Sequence, residues 1–180
     1  MDHLNEKTIK TTEIYKGKII DLQLEEVELP DGRTSIREVI KHPGAVAVLP
    51  IKEDGKLVLV RQYRKALQKS IIEIPAGKLE ENEEPKLAAM RELEEETGYK
   101  TNSLTFIGSF YTSPGFADEL IHLYVTRNLE IGQSQADEDE FIDVLEIDLQ
   151  EAEKLIKEQK IHDAKTMYAI QYARLYEKKG

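Results

Sequence analysis

The 180-residue chain has no cysteine and no tryptophan. Without thiols, disulfide bridges, Cys-ligated zinc and thiol nucleophiles are excluded. An excess of basic residues is missing too: 35 acidic side chains stand against 25 basic ones, a net charge of −10. General binding to nucleic acid or to an anionic membrane surface draws its affinity from Lys and Arg, so neither is expected. Long apolar runs are also lacking. The longest, Ala45 to Ile51, is interrupted by Pro50 and falls far short of the ~20 residues that cross a bilayer. The start, Met1-Asp2-His3-Leu4-Asn5-Glu6-Lys7, has no apolar segment of the secretory kind. A soluble cytoplasmic protein is the expectation. With 40% hydrophobic and 33% charged residues, the chain can build a core and is too apolar for disorder.

What is present is a strand-rich start and a charged middle. Ile20, Leu22 and Leu24 alternate with Asp21, Gln23 and Glu25, the pattern of a half-buried strand. The alternation slips at Glu25-Glu26, with Val27 and Leu29 on the new phase, which predicts a bulge there. Pro30-Asp31-Gly32-Arg33 predicts a turn, since Pro presets φ and Gly permits φ > 0. A partner strand over 35–41 completes an N-terminal hairpin. Residues 44–50 are apolar on both faces, as in a central strand. Glu53-Asp54-Gly55-Lys56 predicts a second hairpin, into Leu57-Val58-Leu59-Val60. Further strands are expected at 71–74, 104–110, 120–126 and 141–147.

Helices are expected over 85–97, with Pro85 in the first turn and Gly98 as the stop, over 149–158, and from Asp163 as N-cap to about 178. In the last of these Met167, Ile170, Ala173 and Leu175 form an apolar stripe beside Tyr168, Tyr172 and Tyr176, which reads as core packing or a subunit contact. The sum is a mixed α/β protein rather than a regular βαβ series.

The helix at 85–97 carries the chemistry. At about 100° per residue, Glu96 falls roughly 40° to one side of Glu92 and Glu95 roughly 60° to the other, so three carboxylates share a face. Leu87, Met90 and Leu93 lie opposite, and Ala88 and Ala89 flank the carboxylates, leaving room for a ligand. Glu94 falls toward the apolar side without a role. Carboxylates so spaced repel one another, and the helix dipole at a C-terminus makes their crowding worse. Two readings follow: a solvated acidic face, or a site for a hard divalent cation such as Mg²⁺ or Mn²⁺.

The wider spacing is Gly-x5-Glu-x7-Arg-Glu-U-x-Glu-Glu-x-Gly-U, where U is bulky and apolar or aromatic. Its terms here are Gly77, Glu83, Arg91, Glu92, Leu93, Glu95, Glu96, Gly98 and Tyr99. This resembles the signature of the Nudix hydrolases at every fixed position. The resemblance implies an α/β/α sandwich around a mixed sheet and hydrolysis of a nucleoside diphosphate linked to another moiety. It implies a metal held by Glu92 and Glu96, with Glu95 as a further ligand and catalytic residue, and by the backbone carbonyl of Ala76. Arg91 would orient the neighbouring glutamates. The chemistry is coherent, because cations between these carboxylates and an anionic substrate reverse a repulsive field.

Features outside the box resemble the ADP-ribose pyrophosphatase branch of the family. Pro114, in Ser113-Pro114-Gly115, stands sixteen positions after Gly98, although a Ser-Pro-Gly turn is an ordinary feature by itself. A strand-rich extension over 1–43 precedes a catalytic domain over 44–180, and in this branch such an extension is exchanged within a homodimer. Arg37, Glu38 and Arg64 sit where the branch supplies substrate contacts, with a plain surface role open for both arginines. Ala136-Asp137-Glu138-Asp139-Glu140 resembles the branch's acidic loop, in which Glu138 would be the general base and Glu140 an added metal ligand. Asp137, Asp139 or Glu140 could take the base role instead, and a solvated loop stays open. Glu73 reads as structural or as a hydrogen-bond partner of substrate. His3, His42, His122 and His162 share no ligand spacing.

The resulting expectation is an enzyme that converts ADP-ribose or an ADP-sugar to AMP and a sugar phosphate with Mg²⁺ or Mn²⁺. Another nucleotide sugar or a dinucleotide is the alternative substrate. A non-catalytic ADP-ribose sensor is the remaining reading, and the intact box speaks against it.

Overall fold

The computed structural model describes residues 3–133 and 141–176. The chain divides into two units, Met1–Gly44 with Phe110–Ile121, and Ala45–Ser109 with His122–Gly180. No helix of the described residues is long and apolar enough to cross a membrane.

The first unit is built on a three-stranded antiparallel sheet, β1 (Lys7–Lys16), β2 (Asp21–Glu28) and β3 (Thr34–Lys41), in that order. The β2–β3 hairpin forms as expected, with Gly32 at φ 84° and its N–H donating to the Leu29 carbonyl at 2.9 Å. No bulge occurs at Glu25-Glu26, because β2 pairs with β3 in unbroken register from Asp21 opposite Lys41 to Glu28 opposite Thr34. The irregularity sits on β1 instead, where the ladder with β2 steps over Ile9 and Ile14. Strand β1 is a Thr- and Lys-rich segment exposed at every position, and Val27 is the buried side chain of the described sheet.

In the second unit β4 (Ala45–Pro50) is buried throughout, as its two-sided apolar pattern requires. It lies inside a four-stranded sheet ordered β7 (Ala76–Lys78), β4, β10 (Leu120–Thr126) and β9 (Thr105–Tyr111). A second sheet is ordered β12 (Ile142–Ile147), β5 (Leu57–Arg64) and β6 (Lys69–Glu73). The expected β4–β5 hairpin is therefore corrected. The turn forms, with Gly55 at φ 84°, but after a single bridge between Ile51 and Leu57 the strands part into different sheets. Each is apolar on both faces and needs neighbours on both edges. The two-residue strands β8 (Tyr99–Lys100) and β11 (Glu130–Ile131) pair with each other.

Helix α1 runs Pro85–Thr97, as expected. Glu84 caps its start by accepting from the Leu87 N–H, and Gly98 ends it at φ 71° with its N–H on the Glu94 carbonyl. Helix α2 (Leu149–Lys157) is capped by Asp148 and packs on α3 (Ala164–Tyr176). The core joins Val46 and Val48 of β4 to Ala88, Ala89 and Leu93 of α1, with Leu104 and Tyr124. Side chains alternate along a strand, so the remaining buried residues of β4 face the other way, and α3 also packs on this strand. The result is the mixed α/β class, with helices against a central sheet.

The faces of two helices differ from the periodicity reading. In α1 the buried residues are Ala88, Ala89, Leu93, Glu96 and Thr97, while Leu87 is 61% exposed. The small alanines bring the helix close to the sheet rather than leaving a ligand gap. In α3 the buried face is Lys165, Thr166, Ala169, Ile170 and Ala173, and Met167 and Leu175 are exposed. The apolar stripe is rotated because a lysine and a threonine hold the inner positions.

Candidate active site

Rotation of α1 puts Glu96 in the middle of its buried arc, between Ala88 and Ala89 around the helix, at 4% exposure. A carboxylate taken out of water is costly unless it is hydrogen-bonded. Here its Oε2 accepts the Ala76 N–H at 3.0 Å. One turn earlier, the Glu92 carboxylate lies directly over Gly77, so close that a Cβ there would overlap it. Gly77 is thus a glycine because β7 and the helix share this space. Antiparallel pairing of Ala76 with Ala47 and Gly77 with Val46 fixes β7 against the central strand.

Arg91 supplies the counter-charge. Its Nε and Nη2 donate to the two oxygens of Glu83, each at 3.0 Å. Its Nη1 donates to Glu92 Oε1 at 2.7 Å and to Glu95 Oε2 at 2.9 Å. The hydrogen bond to Glu83 raises the guanidinium's pKa further above its ordinary value, against a smaller effect of burial, with the Glu92 charge and its hydrogen bonds adding to it. The same pairing holds the Glu83 carboxyl below the usual carboxylate range. Glu94 finds a place as well: its Oε1 accepts the Gln133 N–H at 3.3 Å and packs on Gly132.

The donor set fits a hard divalent cation, since Glu92, Glu95 and Glu96 offer carboxylate oxygens along one edge of a helix braced against β7. Among the described residues no group of three or more His, Asp or Glu side chains forms a ready cage for an ion. In this arrangement the guanidinium of Arg91 stands between Glu92 and Glu95.

Arg64, at the end of β5, donates from Nε to Glu73 Oε2 at 2.6 Å. Burial works against its charge, but the Glu73 hydrogen bond and the Glu73, Glu96 and Asp163 charges leave its pKa raised. Glu73 is 3% exposed and is held on its other oxygen by Lys165 Nζ at 2.5 Å. The partners lie ninety-two positions apart, so no local pattern points to Lys165.

The other proposed substrate residues lie in the first unit. Arg37 on β3 is engaged by Glu6, Nε to Oε2 at 2.8 Å and Nη2 to Oε1 at 2.6 Å, and by the Ser35 hydroxyl at 2.9 Å. Glu38 is exposed beside it. Ser113, Pro114 and Gly115 form a turn in which the Ser113 carbonyl accepts from the Phe116 and Ala117 N–H groups. This turn docks on the same strand, with the Ile40 N–H on the Phe116 carbonyl at 2.7 Å and the Asp118 N–H on the Ile40 carbonyl at 3.2 Å. Two segments some seventy residues apart in sequence are thereby joined. His42 is structural, its Nδ1 accepting from the Gly44 N–H. Glu138 and Glu140 lie outside the described residues.

Comparison with known proteins gives the chain's family. Residues 41–169 match the NUDIX domain, and residues 6–40 match the nucleoside diphosphate sugar hydrolase N-terminal domain. An ADP-ribose pyrophosphatase of Bacillus subtilis (strain 168) is 54% identical over 179 residues, covering 98% of this chain and 97% of that protein. A methanol dehydrogenase activator of Bacillus methanolicus is 56% identical over 174 residues, covering 96% and 94%. A GDP-mannose pyrophosphatase of Cronobacter sakazakii is 34% identical over 155 residues, covering 77% and 81%. The solved structure of an ADP compounds hydrolase shares the fold at a TM-score of 0.85, with 21% identity and coverage of 97% of this chain and 95% of that one. The chain belongs to the Nudix hydrolase family.

Proposed function

We propose that this enzyme hydrolyses the diphosphate of ADP-ribose or a related ADP-sugar, adding water across the P–O–P bond to give AMP and a sugar phosphate. The observation that carries the reading is the seating of Glu92 and Glu96 against Gly77 and Ala76 within a complete Nudix box. The 54% identical ADP-ribose pyrophosphatase supports the substrate class. Glu92 and Glu96, with Glu95, the Ala76 carbonyl and Glu140, would hold Mg²⁺ or Mn²⁺. Such a cation, when bound, neutralises phosphate charge and acidifies a water. Arg91 holds Glu92 and Glu95 in place through its hydrogen bonds. Glu138 takes the proton from the attacking water. Arg64 and Arg37 bind phosphate or the adenine face, as guanidinium groups do, with Glu38 and the Ser113-Pro114-Gly115 turn completing substrate contact.

The first unit suggests a homodimer that exchanges residues 1–43. Three strands that bury one side chain between them, and leave Ile9, Ile14 and Ile36 exposed, are too little to stand alone. A second copy would cover them.

The test is a panel of ADP-ribose, GDP-mannose, other nucleotide sugars, NADH and diadenosine polyphosphates, with Mg²⁺ or Mn²⁺ and an EDTA control. AMP and ribose 5-phosphate formed mainly from ADP-ribose support the reading, and preference for GDP-mannose replaces it. The Bacillus methanolicus relative, a methanol dehydrogenase activator, favours a second reading, in which the protein raises the activity of an alcohol dehydrogenase. Adding the protein to a methanol dehydrogenase and following its rate decides that reading.

A further inference from the structure

Four side chains of alternating charge form a row in the second unit, with the most buried pair, Lys165 and Glu73, in the middle. Asp163 Oδ1 lies 3.1 Å from Lys165 Nζ, Lys165 donates to Glu73 at 2.5 Å, and Glu73 accepts from Arg64 at 2.6 Å. Lys165 and Glu73 are buried, whereas the Arg64 side chain is 37% exposed. Burying a lysine and a glutamate is expensive, and an apolar pair of similar volume often serves stability as well or better. A reason other than stability is therefore needed for a lysine on the inner face of α3.

The surroundings supply one. Thr166, beside Lys165, accepts the Ile74 N–H at 2.9 Å and donates to Asp163 Oδ2 at 2.5 Å. The first turn of α3 thus grips both the side chain of Glu73 and the backbone of Ile74. The next residues are Pro75, whose carbonyl accepts the Val48 N–H, and Ala76, whose N–H meets Glu96. Glu73 has one oxygen on each cation, so Lys165 decides which way the carboxylate presents itself to Arg64.

We propose that Lys165 is a positioning residue for substrate binding: through Glu73 it fixes the Arg64 guanidinium in the orientation that meets the diphosphate. This rests on the diphosphate-hydrolase reading above. Lys165 itself touches no substrate. Arg64 without a held Glu73 keeps its charge and loses its aim.

Steady-state kinetics with ADP-ribose and calorimetric binding of ADP-ribose in EDTA, on Lys165→Met, Lys165→Arg, Arg64→Ala and the K165M/R64A double variant, test it. The expected result is a KM and a dissociation constant raised about tenfold or more in K165M, with kcat within about threefold of wild type, and substantial recovery in K165R. In the R64A background K165M adds little, because the two act through one route. If K165M does not fold, Glu73→Gln keeps the volume but has a single oxygen to accept with, so it loses one of the two hydrogen bonds and must raise KM in the same way. A folded K165M or E73Q with KM within twofold of wild type overturns the inference, as does a K165M effect that multiplies undiminished with that of R64A. A wild type that neither hydrolyses nor binds ADP-ribose overturns the functional reading, and the inference with it.

Discussion

Gly77→Ala is a sharp perturbation, because the backbone at 77 does not require glycine and the space in front of it does. Gly77 is not among the residues at positive φ, so strain in the chain contributes nothing. An alanine Cβ would overlap the Glu92 carboxylate carbon and both oxygens. Either Glu92 swings away or β7 withdraws from α1. The first route breaks the 2.7 Å bond from Arg91, a charge-assisted contact at a half-buried place worth about 1–2 kcal/mol. The second strains a packed strand at a cost of about 1–3 kcal/mol. Both displace a proposed metal ligand by around an ångström, which in well-ordered sites costs about a hundredfold in rate. Urea denaturation and turnover on one preparation should thus give a loss of about 1–3 kcal/mol and a kcat down by about two orders of magnitude. Glu92→Asp added to G77A should recover stability without recovering turnover, since the shorter side chain relieves the overlap. A G77A enzyme with kcat within threefold of wild type would refute the packing argument.

Arg91→Ala should cut turnover by about a hundredfold by releasing Glu92 and Glu95. It should also change the pH dependence of stability. Arg91 holds the folded Glu83 pKa below its ordinary value, so the pair stabilises at pH above the unfolded carboxylate value of about 4.3 and loses this as pH falls through the lower folded value. Denaturation of the two proteins between neutral pH and pH 3 should show their stability difference shrinking on acidification; a constant difference contradicts the assignment. Sedimentation should report a dimer, and replacing Ile9 and Ile14 together by Asp should give monomers with reduced turnover. Monomeric wild type at micromolar concentration refutes the exchanged extension.

The sequence made some elements plain through local chemistry. Pro85 and Gly98 bound α1 because one cannot sit deeper in a helix and the other takes the left-handed turn. Gly32 and Gly55 placed two turns for the same reason. Where periodicity had to decide, it was weaker. Strand β1 is exposed on both sides and carries no alternation to read. Strands β7, β8 and β11 are too short for a pattern, yet β7 seats Glu92 and Glu96. The face of α3 was misread because its inner positions are filled by Lys165 and Thr166, whose partners Glu73 and Ile74 come from a distant strand and the residue after it. The box carboxylates were legible from spacing, but Glu96's burial and Gly77's contact were not, since both depend on how closely two alanines let the helix approach the sheet.

Glu96→Gln is the most direct test of the central account. The amide oxygen can still accept the Ala76 N–H, so stability should stay within about 1 kcal/mol of wild type. The charge needed to hold a cation is gone. Mn²⁺ binding by electron paramagnetic resonance and ADP-ribose turnover, measured on the same sample, should fall together, with kcat down by at least about a thousandfold. A folded E96Q enzyme that binds Mn²⁺ and turns over ADP-ribose like wild type would contradict the account.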